Sequence, residues 1–425
     1  MMMLRDLKRE SKFLAKQKPL WALLAILLML SSFAVYTGVN EIRQQSQTLE
    51  RLLQKDRLDR EDVLSQQTDF GSAAYYSFHL TYAPPQKIAF AAMGQRDVFP
   101  WKHRVRMLAL EGQIYETDAD NPELTFLGKF DFAFLVSVLL PLLIILLLHN
   151  IASSEREMGR FDLLLVTAKK QRNFVIPRAF IIICCAALVL ILPFITGALV
   201  LGTDLTSSLT IGLIALGHLV FWAFLTLFAG HYGNKRFFSS ARIASGLIGI
   251  WLLLTVILPV ASDTIIKQSV TSPNGGEIVL TQREAVNDAW DLPVESTWRD
   301  FLVSYPQWSG STNMQSLFEW KWYFAFQQVG DQKAAALSKR YRNSIVRKDH
   351  YASLVSWLSP PMLSQRLMEK IAHTNVSAAL AYEDNVRKYH TQLREFYYPL
   401  LFNDTTFTEK TLTQVPEFSP LDIQD

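Results

Sequence analysis

The sequence predicts a mainly α, polytopic membrane protein: five transmembrane helices and two mostly helical extracytoplasmic regions containing minor β. Three observations carry this reading. Half of the 425 residues are hydrophobic and only 19% are charged, more apolar than is usual for a soluble chain of this length. The excess lies in five runs, at 20–39, 132–148, 179–201, 210–230 and 243–261, and none of them contains Asp, Glu, Lys or Arg. Each is close to the roughly 20 residues a helix needs to cross about 30 Å of hydrocarbon, and a helix keeps its backbone hydrogen bonds internal there. Finally, the short polar segments on one side of the alternating path are all basic. Six basic residues stand against two acidic in 1–19, six against three in 150–178, and three against none in 231–242. The long stretches 40–130 and 263–425 carry eleven against thirteen and sixteen against nineteen. By the positive-inside rule the N-terminus and the short segments are cytoplasmic, and the long stretches and the C-terminus are outside.

The elements follow in chain order. Residues 1–39 are a basic cytoplasmic arm and the first span, which "FAVYTGVNEIRQQ" leaves without a small-x-small cleavage site, so the span is expected to be a retained anchor. In the first insertion, 40–131, "NEIRQQSQTLERLLQKDRLDREDVLSQQ" lacks Pro and Gly and should extend that helix outward. "AAYYSFHLTYAPP" has the aromatic and β-branched character of a strand stopped by prolines. Residues 132–261 hold the other four spans and a charged, half-apolar segment at 153–174. In the second insertion, 262–425, "SVTSPNGGEIVL" reads as a turn leading into a short strand. The stretches beginning "SLFEWKWYFAFQQ" and "VSAALAYEDNVRK" show helical spacing and are separated by "LSPP" at 358–361. The only cysteines, Cys184 and Cys185, are adjacent within the third run; the exported regions must therefore be held by packing, for which their many aromatics are suited.

The catalytic inventory is thin. There is no phosphate-binding G-x-x-x-x-G-K-[ST] loop, G-x-S-x-G elbow, H-E-x-x-H helix or C-x-x-C pair. No catalytic residue, cofactor, metal or nucleic-acid partner is called for, and ATP, if used, must be bound by another chain. His79, His103, His350, His373 and His390 lack ligand spacing and read as structural or surface groups. With no carboxylate or permanent cation in the runs, ion-coupled transport is disfavoured. His218, the one titratable group that stands out there, reads as a neutral imidazole bonded to a neighbouring helix.

The segment 153–174 is the candidate site. As a helix over 155–168 it places Met158, Phe161, Leu164, Leu165 and Ala168 along one side and Arg156, Arg160 and Asp162 on the other. Glu155 and Glu157 fall in its first turn, and Lys169, Lys170 and Arg172 follow its C-terminus, both favourable to the helix dipole. Such a helix is either an interfacial anchor or a lever on which a cytoplasmic partner docks.

At these residues the chain resembles a known family. Glu155-x-Glu157-x-Gly159 running into "RFDLLLVTAKKQRNFVIPRAF" is similar to the E-x-E-x-G segment after the second span of type-2 ABC transporter permeases. "GQRDVFPW", "NPELTFLGKFDFAFLVSVLLPLLIILL", "EWKWYFAFQQVGD", "LSPPMLSQRLMEKIAHT" and "REFYYPLLF" resemble the subgroup with large extracytoplasmic insertions. The resemblance implies a bacterial inner-membrane permease subunit that pairs with itself or a related subunit and is driven by a separate cytoplasmic ATPase. It also implies docking and coupling through Glu155, Glu157, Gly159 and Phe161: the carboxylates as helix-end and docking groups, Gly159 for close approach, Phe161 as the apolar contact. The segment departs from the family at Arg160-Phe161-Asp162 and in "TAKKQRNF". The family's usual sixth span has no counterpart after "REFYYPLLF", so the final helix is expected to be missing or supplied by another subunit. A reading of a different class is a non-transporting anchor or relay whose exported regions bind a ligand or an envelope partner.

Overall fold

A computed structural model describes residues 2–115, 130–168 and 170–421. Residues 121–129 of the "NPELTFLGK" stretch, and Lys169, lie outside these. The described residues are mostly helical, and five helices are long and apolar enough to cross a membrane: Lys18–Ser65, Phe132–Glu157, Arg172–Leu201, Leu205–Lys235 and Ser240–Ser269. Helix α1 (Met2–Leu14) leads into α2 (Lys18–Ser65), whose Pro19 sits in the first turn, where a missing N–H costs nothing. At 1.5 Å per residue α2 is about 72 Å long. The outward extension read from the sequence is thus one continuous rod, and it enters two separate cores.

One core is an apolar bundle of α2, α5 (residues 132–148), α8 (Arg172–Leu201), α9 (Leu205–Lys235) and α10 (Ser240–Ser269). Between α5 and α8 lie the short helices α6 (Ser153–Glu157) and α7 (Phe161–Ala168). The other core draws on both long polar stretches. The first supplies α3 (Phe70–Tyr76), β1 (His79–Tyr82), β2 (Lys102–Val105) and α4 (Leu110–Tyr115). The second supplies α11 (Gly275–Asp288), α12 (Val294–Leu302), α13 (Trp320–Ser356), α14 (Pro360–Ile371), α15 (Val376–Phe402) and α16 (Glu409–Leu412). Its aromatic residues pack ring on ring, Phe301 stacking on Phe402 at 5.3 Å and Trp290 meeting Phe326 edge to face at 5.2 Å. Cys184 and Cys185 are free thiols.

Two expectations are corrected. Residues 73–76 of "AAYYSFHLTY" are helical, because Asp69 accepts the Ser72 N–H at 2.7 Å and caps α3; only His79–Tyr82 forms a strand, antiparallel to β2 with His79 opposite Val105. "GGEIVL" is likewise helix rather than strand. Asn274 caps α11, and Ile278, Gln282 and Ala285 bury one helical face.

Pro141 and Pro259 shape the bundle. Each follows a π turn, over Leu135–Leu139 and Leu253–Ile257, since a proline cannot bond the carbonyl four residues back. Neighbours take up carbonyls in both turns. His218 bonds the Ser137 backbone while its Nε2 accepts from Trp222 Nε1 at 3.0 Å, and Trp251 Nε1 donates to the Val138 carbonyl at 3.0 Å. The Ser359 hydroxyl donates to the Leu254 carbonyl at 2.7 Å. His218 is thereby a buried structural imidazole.

Two segments from the polar stretches plug this end of the bundle. The turn Lys87–Ala91 presses Phe90 against α2 where residue 38 is glycine; a Cβ there would lie 2.0 Å from the Phe90 carbonyl oxygen. Helix α14 buries Met368 against α5 and α9.

Candidate functional site

The segment 153–174 is two helices, not one. The helix expected over 155–168 breaks at Gly159, whose φ of +70° is the left-handed conformation that glycine adopts without strain. Gly159 is not a close-approach residue, because a Cβ there would meet nothing within 4 Å. Gly159→Ala should therefore cost about 1 kcal/mol through backbone strain alone, read as a small drop in melting temperature with unchanged packing.

The four residues singled out from the sequence do not form one surface. Glu155 is 3% exposed. Its Oε1 accepts from Arg178 on α8 at 2.8 Å and its Oε2 from Arg160 at 2.9 Å. Arg178 in turn donates to Glu10 on α1 at 2.6 Å, and Glu10 accepts from Arg9 at 2.7 Å. The Arg178 guanidinium lies 4.1 Å from the centre of the Phe13 ring, which covers it. A buried carboxylate–guanidinium–carboxylate clamp thus joins α1, α6 and α8.

Glu157 remains exposed but is engaged. Its Oε1 accepts the Ser240 N–H at 2.6 Å, at the first residue of α10, and its Oε2 lies 3.1 Å from the Ser240 hydroxyl. This is the arrangement a carboxylate adopts at the positive end of a helix. Arg156, placed by the periodicity on the side away from the apolar residues, donates to the Asn234 carbonyl at 2.9 Å and side-chain oxygen at 2.7 Å, and to the Phe238 carbonyl. It thereby holds the turn between α9 and α10. Phe161 is half-buried, edge-on to Phe174 at 6.1 Å. Met158, Leu163 and Val166 are the apolar residues left open, at 57%, 68% and 79% exposure.

Sequence reasoning missed Glu10, Arg178, Asn234 and Ser240. The clamp's partners lie 168 and 23 residues apart in the chain, so no local pattern signals them. An arginine six residues into an apolar helix was the one available hint.

Three histidines of the long polar stretches, His79, His103 and His390, are structural. The His79 Nδ1 is 2.9 Å from the Tyr389 hydroxyl, His103 Nδ1 is 3.0 Å from that of Tyr382, and His390 Nε2 donates to the Arg106 carbonyl at 2.9 Å. Burial lowers His79 to about 3 and His103 to about 4, and pulls His390 well below the usual imidazole range. All three are neutral near pH 7. Among the described residues no group of three or more His, Cys, Asp or Glu could hold a metal ion.

Residues 276–420 match a domain of unknown function (DUF3526). The match runs from α11 past α16, wholly within the second polar stretch, and does not include the segment 153–174. No curated protein and no solved structure matches the chain.

Proposed function

We propose that this chain is the membrane subunit of an ATP-driven transporter, energised by a separate cytoplasmic ATPase that docks on segment 153–168. The five apolar helices span a bacterial inner membrane with the N-terminus inside, and the unit built on the second core is exported. A second permease subunit, identical or related, completes the complex, and membrane lipid surrounds it. The single observation that carries the proposal is the wiring of the segment. Glu155 reaches α1 and α8, Arg156 the end of α9, and Glu157 the start of α10, while Met158, Leu163 and Val166 face outward. A push on that apolar face is thereby delivered to four bundle elements. The rod of α2 carries the movement into the second core. For coupling to occur the ATPase must contact the segment differently in its two nucleotide states.

On this reading the docking test belongs on Met158, Leu163 and Val166, because Phe161 packs on Phe174 and Glu157 holds the start of α10. Leu163→Asp combined with Val166→Asp should insert and fold normally yet lower copurification of the ATPase by a factor of ten or more, the scale of two lost apolar contacts. Glu157→Gln should leave copurification intact and lower transport per ATP hydrolysed. Normal assembly and transport by the double variant would end the docking idea. A partner other than an ATPase, captured on the same face and lost with the same variant, would favour the relay.

A further inference from the structure

We propose that the cavity between α5, α8 and α9 binds an anionic phospholipid at the two ends of segment 153–168. The proposal rests on the membrane reading above. The cavity holds about 510 Å³ and has a polar rim and an apolar shaft. His149, Gln171, Arg172 and His231 form the rim; Ile176, Ile183 and Leu227 are in the shaft, and no acidic residue lines any part of it. Arg172 is exposed and makes no ion pair or hydrogen bond among the described residues. His149 donates from Nδ1 to the Ile145 carbonyl at 2.9 Å, so its Nε2 donates to a phosphate only when the ring is protonated.

Size and charge select the occupant. From Arg172 to Ile183 the groove follows eleven residues of α8, about 16 Å, which is close to half of the ~30 Å hydrocarbon thickness. An acyl chain lying along it therefore fills one leaflet, with its headgroup at the rim. The Arg172 guanidinium, with no carboxylate in the lining, favours a phosphate with net negative charge. The basic segments place this rim on the cytoplasmic side, where anionic lipids are concentrated. A zwitterionic headgroup would bring its own cation against Arg172.

Position gives the site a consequence. His149, Ile151 and Ala152 lead into α6, and Gln171 and Arg172 follow α7. One lipid therefore touches both flanks of the segment, and its occupancy favours whichever state keeps those flanks together.

The test uses the full chain in nanodiscs of phosphatidylcholine, with and without phosphatidylglycerol, followed by native mass spectrometry after detergent transfer. Phosphatidylglycerol should be retained over phosphatidylcholine. Arg172→Gln with His231→Gln should weaken retention about tenfold or more, the scale of one lost charge-assisted bond, whereas Ile176→Trp should expel the lipid by filling the shaft with charge unchanged. Millimolar inorganic phosphate should not displace it. Equal retention of both lipids, an unaffected double variant, displacement by phosphate alone, or shielding of the groove by a second copy of the chain would each overturn the site. Retention is read without nucleotide, so the two proposals separate. Selective retention with no ATPase partner leaves the site and removes the transporter; an ATPase that couples normally without lipid selectivity does the reverse.

Discussion

Arg178→Met is expected to destabilise the folded chain by about 3–5 kcal/mol, the cost of leaving a buried ion pair half-made. The side chain is 5% exposed and holds two carboxylates that are themselves 2% and 4% exposed. Methionine fills the volume but leaves Glu10 and Glu155 facing each other with only Arg9 and Arg160, both much more exposed, to neutralise them. Against a total stability of roughly 5–15 kcal/mol, the loss should appear as a sharply lower melting temperature and a poor yield of monodisperse protein in detergent. The triple replacement Glu10→Leu, Arg178→Met, Glu155→Leu separates stability from coupling. With the whole charged group removed, the desolvation penalty disappears too, and stability should return to near wild type. On the transporter reading proposed above, the link from the segment to α1 and α8 stays broken, so ATP hydrolysis in the assembled complex should run with little transport. A single variant that melts like wild type would show that the cluster is not a clamp.

What the sequence revealed was what local periodicity can carry. The five apolar runs, the outward extension of α2, and the break at Pro360 between α13 and α14 all follow from composition and backbone restriction within a few residues. A glycine in a charged segment signals a backbone need without saying which, since left-handed φ and close approach have the same sequence mark; at Gly159 the need is the left-handed φ. A carboxylate such as Glu155 in the first turn of a helix reads as a helix-end and docking group, and nothing local announces that Arg178 meets it from another helix. Leu163 and Val166 lie opposite Phe161, Leu164, Leu165 and Ala168, on the side that Asp162 marks as polar, so periodicity gives no sign that they are the exposed apolar residues. The entry of α14 into the bundle is of the same non-local kind, since Met368 and Ser359 meet their partners only through the tertiary fold.

That entry creates a seam whose stability should depend on pH. Asp131 caps α5 by accepting from Phe134 N at 2.8 Å and also accepts from Met93 N at 2.8 Å; Glu369 on α14 accepts from Gln365 at 3.0 Å. Burial pushes Glu369 up to about 7, with Asp131 and Asp349 raising it further and the Gln365 bond and Arg366 opposing. Burial likewise pushes Asp131 up to about 6 against its two backbone bonds, with Asp97 adding to the rise. A carboxyl whose folded value lies above its unfolded one binds its proton more tightly when folded. Its contribution is complete below about 4.5 and is lost as pH rises through about 7. At about 1.4 kcal/mol per pH unit, Glu369 alone accounts for roughly 3 kcal/mol across that window. The wild-type seam should therefore be firmer at pH 5 than at pH 8, measured as hydrogen-exchange protection of α14. Glu369→Gln keeps the shape, cannot ionise, and should hold α14 at pH 8 about as firmly as the wild type does at pH 5. If α14 in the wild type is equally protected at both pH values, Glu369 does not titrate across this window; if Glu369→Gln keeps the wild-type pH dependence, Asp131 supplies it.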